Sequence, residues 1–230
     1  MATPVSDSVL PPVPPNSVSD YERPEELLQR YYLSLTNAVN STEILNEFKM
    51  YKYDEARISE GLALHANVSN LFSVQKKEKG EQLQASDEVE KCFITARQRL
   101  VTARIIARAA FEDDANAFVA LDLSGKTRVS ISGLTKQAGP FYTNIRQNPR
   151  FSARMAHFGY TDEKLSEEQK LIQPVLDANA RHKKELGEAV EATISRDTAF
   201  ENLASWMSTF YVVAKEALKK KPELMKQLGI

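Results

Sequence analysis

Two stretches of the chain carry apolar residues spaced alternately four and three apart. Val89, Phe93, Ala96, Leu100, Ala103, Ala107 and Ala110 form one series, and Phe200, Leu203, Met207, Phe210, Ala214 and Ala217 form the other. Spacing near 3.5 keeps one stripe of a helix in register with a neighbour that crosses it at a shallow angle, so both stretches predict seam helices of a bundle. No segment shows the period-two alternation of a half-buried strand, and the chain reads as helical from about residue 21 onward.

Start signals divide this helical run. Pro24 followed by Glu25 and Glu26 opens a first helix ending near Asn40, because proline suits the first turn and carboxylates suit the positive end of the helix dipole. A short helix follows near Thr42, Asp54 caps a long third one, and Asp114 opens a short closing one. Downstream the same order returns, with Asn148 before Pro149, Thr161 before Asp162 and Glu163, and Lys221 before Pro222. Gly139 and Pro140 predict a kink in the helix that contains them.

The recurrence is a repeat. Residues 46–123 lie over 153–230 without a gap, an offset of 153 − 46 = 107. Tyr53, Ser59, Glu60, Leu64 and Val68 fall on Tyr160, Ser166, Glu167, Leu171 and Val175, and upstream Leu27 and Asn37 fall on Leu134 and Asn144. The densest block sets Lys76, Lys77, Glu78, Gly80 and Glu81 against Lys183, Lys184, Glu185, Gly187 and Glu188, with Lys79 against Leu186 the mismatch inside it. Lysines before a glycine, with a glutamate after it, describe one helix ending and another beginning. An unbroken helix over residues 55–111 would be roughly 85 Å long at 1.5 Å per residue. Hairpin turns are therefore expected at Gly80 and Gly187.

The fold class that follows is all-α: two tandem antiparallel helical-bundle units with long helical hairpins, at 21–127 and 128–230, preceded by a disordered Pro-rich tail at 1–20. Tyr31, Tyr32, Tyr51, Tyr53, Phe111 and Phe118 gather at one end of the first unit. Phe141, Tyr142, Phe158, Tyr160, Phe210 and Tyr211 do so in the second, which makes the aromatic ends the well-packed ones and the hairpin tips polar arms.

Composition changes this picture little. With 42% hydrophobic and 27% charged residues and a net charge of −1, nothing calls for nucleic acid or a membrane. The halves differ, since residues 1–127 carry 14 Lys and Arg against 19 Asp and Glu (14 − 19 = −5) and residues 128–230 carry 16 against 12 (16 − 12 = +4). Opposite signs favour docking of the halves on each other or on another copy. The single cysteine, Cys92, excludes an intrachain disulfide, and neither a membrane span nor a signal-peptide pattern is present, so a cytoplasmic protein is expected.

Candidate chemistry is sparse. Gly125, Lys126 and Thr127 resemble the end of a phosphate-binding loop, but Ala120 stands where that motif needs glycine, so residues 124–132 read as a connector. His65, His157 and His182 do not follow a glutamate by three, which removes the ferritin-like dimetal pattern. No nucleophile–base set stands out, and no catalytic residue, cofactor or metal is assigned. Arg97, Arg104 and Arg108 share one helix face, where they either hold an anion or cover the core with their stems. Trp206, Tyr211 and Tyr142 are the remaining ligand or interface candidates.

The stretch from Ala214 to Ile230, with Gln137, Ala138, Phe141, Tyr142 and Asn144, resembles a group of uncharacterised all-helical bacterial proteins built from tandem helical-bundle repeats. The resemblance covers most of residues 130–230 and weakly the first unit; it implies a fold and no activity. The leading functional expectation is a non-enzymatic protein-interaction or scaffold protein, with a protein partner or self-association. The alternatives are a small-molecule module with a pocket between the two units near Trp206, and an anion or nucleic-acid binder using the basic second half.

Overall fold

The computed structural model describes residues 23–230, so the expected tail lies outside the described residues. Among them are nine helices and no strand: α1 (Pro24–Asn40), α2 (Thr42–Lys49), α3 (Glu55–Ala110), α4 (Ala115–Ala120), α5 (Ile131–Gln147), α6 (Pro149–Ala156), α7 (Asp162–Lys170), α8 (Ile172–Ala217) and α9 (Pro222–Gln227).

The expected start signals act as expected. The Arg23 N–H donates to the Glu26 carboxylate at 3.3 Å ahead of Pro24, and Asp54 accepts from the Arg57 N–H at 2.9 Å. Asn148, Thr161 and Asp114 cap α6, α7 and α4 by accepting backbone N–H groups of their first turns. Adding 107 to the bounds of α1, α2 and α4 gives those of α5, α6 and α9, and adding it to those of α3 gives the first residue of α7 and the last of α8. Pro140 lies inside α5, which runs on past it.

The hairpin turns do not exist. Gly80 lies inside α3, 56 residues long, and Gly187 inside α8, 46 residues long. Lys77 pairs with Glu81 at 3.1 Å and Lys184 with Glu188 at 2.8 Å, each one turn along the same helix. Residues read as a stop and a restart thus tie successive turns together across the glycine. A mid-helix glycine costs only about 1 kcal/mol relative to alanine, which such pairs and packing offset. Where the second long run does break, at Leu171, Pro174 has no N–H for the carbonyl of Lys170.

The compact units also differ from the expected 21–127 and 128–230. Among the described residues, one unit is 23–66 with Asn202–Ile230, and the other is Asn67–Glu201. Each takes chain from both sides of the connector, which is why a helix too long for one repeat is no contradiction.

In the first unit Leu35, Ala38, Ile44, Phe48 and Ile58 are buried with Leu203, Met207, Phe210 and Leu218. The Phe48 ring meets Phe210 edge-on at 5.7 Å. Asn37 donates its side-chain amide to the Gln227 carbonyl at 2.6 Å, and Lys221 pairs with Glu43 and Glu47 at 2.8 and 2.9 Å.

In the second unit Leu100, Ala103, Ala107 and Phe111 from α3 share a core with Leu134, Phe141 and Ile145 from α5, Met155 from α6 and Leu165 from α7. Phe151 meets Phe111 at 5.2 Å. Asn144 donates to the Ala120 carbonyl at 2.7 Å. The parts of α3 and α8 in this unit run antiparallel, with Phe72 at 6.3 Å from Phe200 and Glu88 paired to Arg181 at 3.0 Å. Ala85, Ala178, Ala189 and Ala192 are buried along these stretches. The aromatic clusters accordingly mix residues from the two halves of the sequence.

Candidate functional site

The six residues singled out from sequence do not form one site. Trp206 and Tyr211 lie in the first compact unit; Tyr142, Arg97, Arg104 and Arg108 lie in the second. Trp206 stacks on Phe210 at 5.7 Å and 15° and sits 5.9 Å from Tyr53, with its ring laid on Gly61. It is packed, and its buried Nε1 has no partner among the described residues. Tyr211 lies 3.0 Å from the Ser34 hydroxyl, which donates to the Leu228 carbonyl at 2.7 Å. Since Ser34 has one proton and gives it to Leu228, Tyr211 is the donor to Ser34.

Tyr142 is buried and donates to the Glu168 carboxylate at 3.1 Å. Burial pushes the Glu168 carboxyl up, opposed by the Tyr142 hydrogen bond and the charges of Lys164 and Arg99; burial and the Glu168 charge push the Tyr142 hydroxyl up strongly. Positions 61 and 206, which hold Gly and Trp in the first unit, correspond at the 107 offset to Glu168 and Arg99 (61 + 107 = 168; 206 − 107 = 99). One place in the repeat is thus filled by an aromatic ring on a glycine, and its equivalent by a carboxylate with a nearby guanidinium.

Arg104 and Arg108 hold the connector. Arg104 is fully buried, and its guanidinium donates to Thr127 Oγ1 at 2.8 Å and to the carbonyl of Asp122. Arg108 donates to the Leu123 carbonyl at 2.8 Å and to the Gly125 carbonyl. Burial and the neighbouring charge of Arg108 pull the Arg104 guanidinium down, with Arg128 adding to this and Asp122 opposing it. Gly125 has φ 77°, the left-handed region that glycine enters without strain. No strand precedes Gly125 among the described residues, and the next helix opens at Ile131, so the segment is a clamped connector and not a phosphate loop.

Arg97 does not join this clamp. With Val101, Ile105 and Arg108 it forms a stripe along α3 that faces Lys126, Thr127, Arg128 and Val129 across a cleft of about 540 Å³. The Arg97 Nε is buried without a partner among the described residues. From sequence the three arginines form one group, Lys126 belongs to the discarded phosphate-loop motif, and Arg128 and Val129 carry no signal that singles them out.

The repeated charged block brings carboxylates together in the second unit. Oxygen atoms of Glu78, Glu185 and Glu188 lie within 4.8 Å of one another. Lys77 at 3.2 Å from Glu78, Lys184 at 2.8 Å from Glu188 and Arg181 at 3.9 Å from Glu185 supply balancing charge, which makes the cluster a network of ion pairs.

Another surface of the same unit is apolar. Leu186, Val190 and Ile194, one helical turn apart on α8, are exposed by 44%, 53% and 60%. With Ala189, Thr193, Lys79 and Gln82 they line a cleft of about 210 Å³. The stripe starts at Leu186, the mismatch to Lys79 inside the dense repeated block, and its spacing of four was legible in the sequence.

Comparison with protein-family models, with curated proteins and with solved structures finds no match. Among the described residues no helix is long and apolar enough to cross a membrane.

Proposed function

We propose that the chain is a tandemly duplicated, non-enzymatic scaffold that associates with a second copy of itself through the apolar stripe of α8. The observation that carries this reading is the exposure of Leu186, Val190 and Ile194 in a row. An apolar stripe at a helical repeat on a charged helix is the pattern by which helices pair, and water contact leaves its burial free energy unused.

The flanking charges favour a second copy as the occupant. Lys183 precedes Val190 by 190 − 183 = 7 residues, and Asp197 follows it by 197 − 190 = 7. Two α8 helices crossing antiparallel at Val190 set Lys183 of each opposite Asp197 of the other, an isologous arrangement. Asp197 already holds Arg196 at 2.6 Å, so the pairing extends an existing charge pair.

Light scattering on the eluting protein across a concentration series tests the reading. The expected result is a dimer that becomes monomeric in Val190→Glu. Lys183→Glu or Asp197→Lys alone weakens association, and the two together restore it. A monomer at every concentration, or a dimer indifferent to Val190→Glu, overturns it.

A further inference from the structure

We propose that the cleft between α3 and the connector, in the second compact unit, binds a small phosphate-bearing ligand, with Arg97, Lys126 and Arg128 taking the phosphate and Val101, Ile105 and Val129 an apolar portion. This site is separate from the α8 stripe and stands or falls independently of it.

The geometry begins with what holds the cleft open. Arg104 and Arg108 donate to the carbonyls of Asp122, Leu123 and Gly125 and to Thr127, so the connector is fixed against α3. That fixation sets Lys126, Thr127, Arg128 and Val129 beside the stripe of Arg97, Val101, Ile105 and Arg108, leaving an open cleft of about 540 Å³ between them. The Gln137 side chain ties the two ends of the connector: its Oε1 accepts from the Arg128 N–H at 3.1 Å, and its Nε2 donates to the Asp122 carboxylate at 2.8 Å.

Charge is unbalanced here in a way it is not elsewhere. Of the residues lining the cleft, four are cations and none is an acid. Arg97, Lys126 and Arg128 enter no ion pair among the described residues, whereas the lysines of the repeated block are paired with glutamates. Asp122, whose charge acts on Arg104, is engaged by Gln137. Concentrated like charge without counter-ions is unfavourable unless an anion relieves it, and guanidinium groups present paired donors that match phosphate oxygens.

The apolar share of the lining separates this cleft from a simple anion patch. Ile105 is 55% exposed and Val129 75% exposed, both on its walls. A compact cleft of this volume suits a metabolite-sized ligand, and a long basic stripe of the kind that tracks a nucleic-acid backbone is not what these residues form. The other half of the repeat offers no duplicate of the α3 wall: the positions matching Arg97 and Val101 are Ala204 and Ser208 (97 + 107; 101 + 107).

Calorimetric titration of the full chain at low salt tests the proposal, with inorganic pyrophosphate, phosphatidylglycerol vesicles, phosphatidylcholine vesicles and a DNA duplex as probes. Binding of pyrophosphate, weakened about tenfold or more in Lys126→Glu/Arg128→Glu and by added salt, is the expected result. Both residues are exposed, so this variant keeps its fold, which circular dichroism checks. Val129→Glu, which puts a carboxylate in the cleft without removing a cation, is expected to weaken binding too. Lys49→Glu/Lys220→Glu, with the same change of net charge, leaves it unchanged. Binding to phosphatidylglycerol but not phosphatidylcholine, lost in the same variants, assigns the phosphate to a lipid headgroup and supports the site. Absence of binding to every phosphate probe, binding that survives the charge reversal, or binding of a DNA duplex alone overturns it.

Discussion

Trp206 lies on Gly61 so closely that a Cβ built on the glycine would stand 2.6 Å from Cη2 and 2.7 Å from Cζ3 of the ring, and 3.0 Å from Cδ2 of Leu35. Alanine in an open helical site gains up to about 1 kcal/mol over glycine. Here the ring is wedged between α3 and Phe210, stacked at 5.7 Å, and cannot retreat cheaply. Gly61→Ala is therefore expected to destabilise the protein by about 1–3 kcal/mol, the usual range for overpacking. Urea unfolding measures it, and Trp206→Leu in the same chain is expected to recover part of the loss. A stabilised Gly61→Ala protein contradicts the packing described.

Gly80 and Gly187 present the opposite case. An added Cβ meets nothing within 4 Å at either position, and both lie inside long helices. Gly80→Ala and Gly187→Ala are each expected to stabilise by up to about 1 kcal/mol through propensity alone. Hairpin turns at these glycines would make the same changes costly, so the sign of the effect in denaturant unfolding separates a continuous helix from a turn.

That contrast shows where the sequence was legible. Caps and starts were read correctly at Pro24, Asp54, Asp114, Asn148 and Thr161, because each depends on residues within one turn of it. The turns at Gly80 and Gly187 were misread because lysines and glutamates around a glycine serve equally as end signals or as pairs one turn apart, and only packing along the whole helix decides. The same limit hid the pairing of distant segments. Asn37 and Asn144 were matched as equivalents, but nothing local says that Asn37 bonds Gln227 and Asn144 bonds Ala120. Of the candidate residues, Arg104 and Arg108 were drawn from the right face with the wrong role, since the carbonyls they hold belong to a connector whose path the sequence does not specify.

Glu168 should make stability depend on pH in an unusual direction. Burial raises its carboxyl above the ordinary value of 4.5, while Tyr142, Lys164 and Arg99 offset part of that rise. Between the two values the folded chain holds a proton that the unfolded chain has lost, so this group's contribution falls as pH rises through that window and stays lower above it. Asp162, held below its ordinary 3.8 by the Arg146 hydrogen bonds, acts oppositely: its contribution is present above that value and lost as pH falls. Glu168→Gln keeps an acceptor for Tyr142 and removes the titration. Urea unfolding from pH 4.5 upward should show the variant gaining on the parent as pH rises, and parallel curves would exclude the effect.

Because each compact unit draws on both sides of the connector, the halves of the chain should need one another. Leu35, Ile44 and Phe48 lose the surfaces of Met207 and Phe210 when residues 1–127 stand alone. Leu134, Phe141 and Ile145 likewise lose Leu100, Ala107 and Phe111 when 128–230 stands alone. Burying a side chain of this size contributes about 1.5–3 kcal/mol, so several orphaned together exceed the 5–15 kcal/mol stability of an ordinary domain. The net charges of −5 and +4 on these halves, 14 − 19 and 16 − 12, add long-range attraction. Co-expressed as separate chains, residues 1–127 and 128–230 are expected to co-purify in equal amounts with the helical circular dichroism of the intact protein, while each alone is poorly folded or aggregated. Two halves that fold independently, with cooperative unfolding and no affinity for one another, would be incompatible with cores built from both.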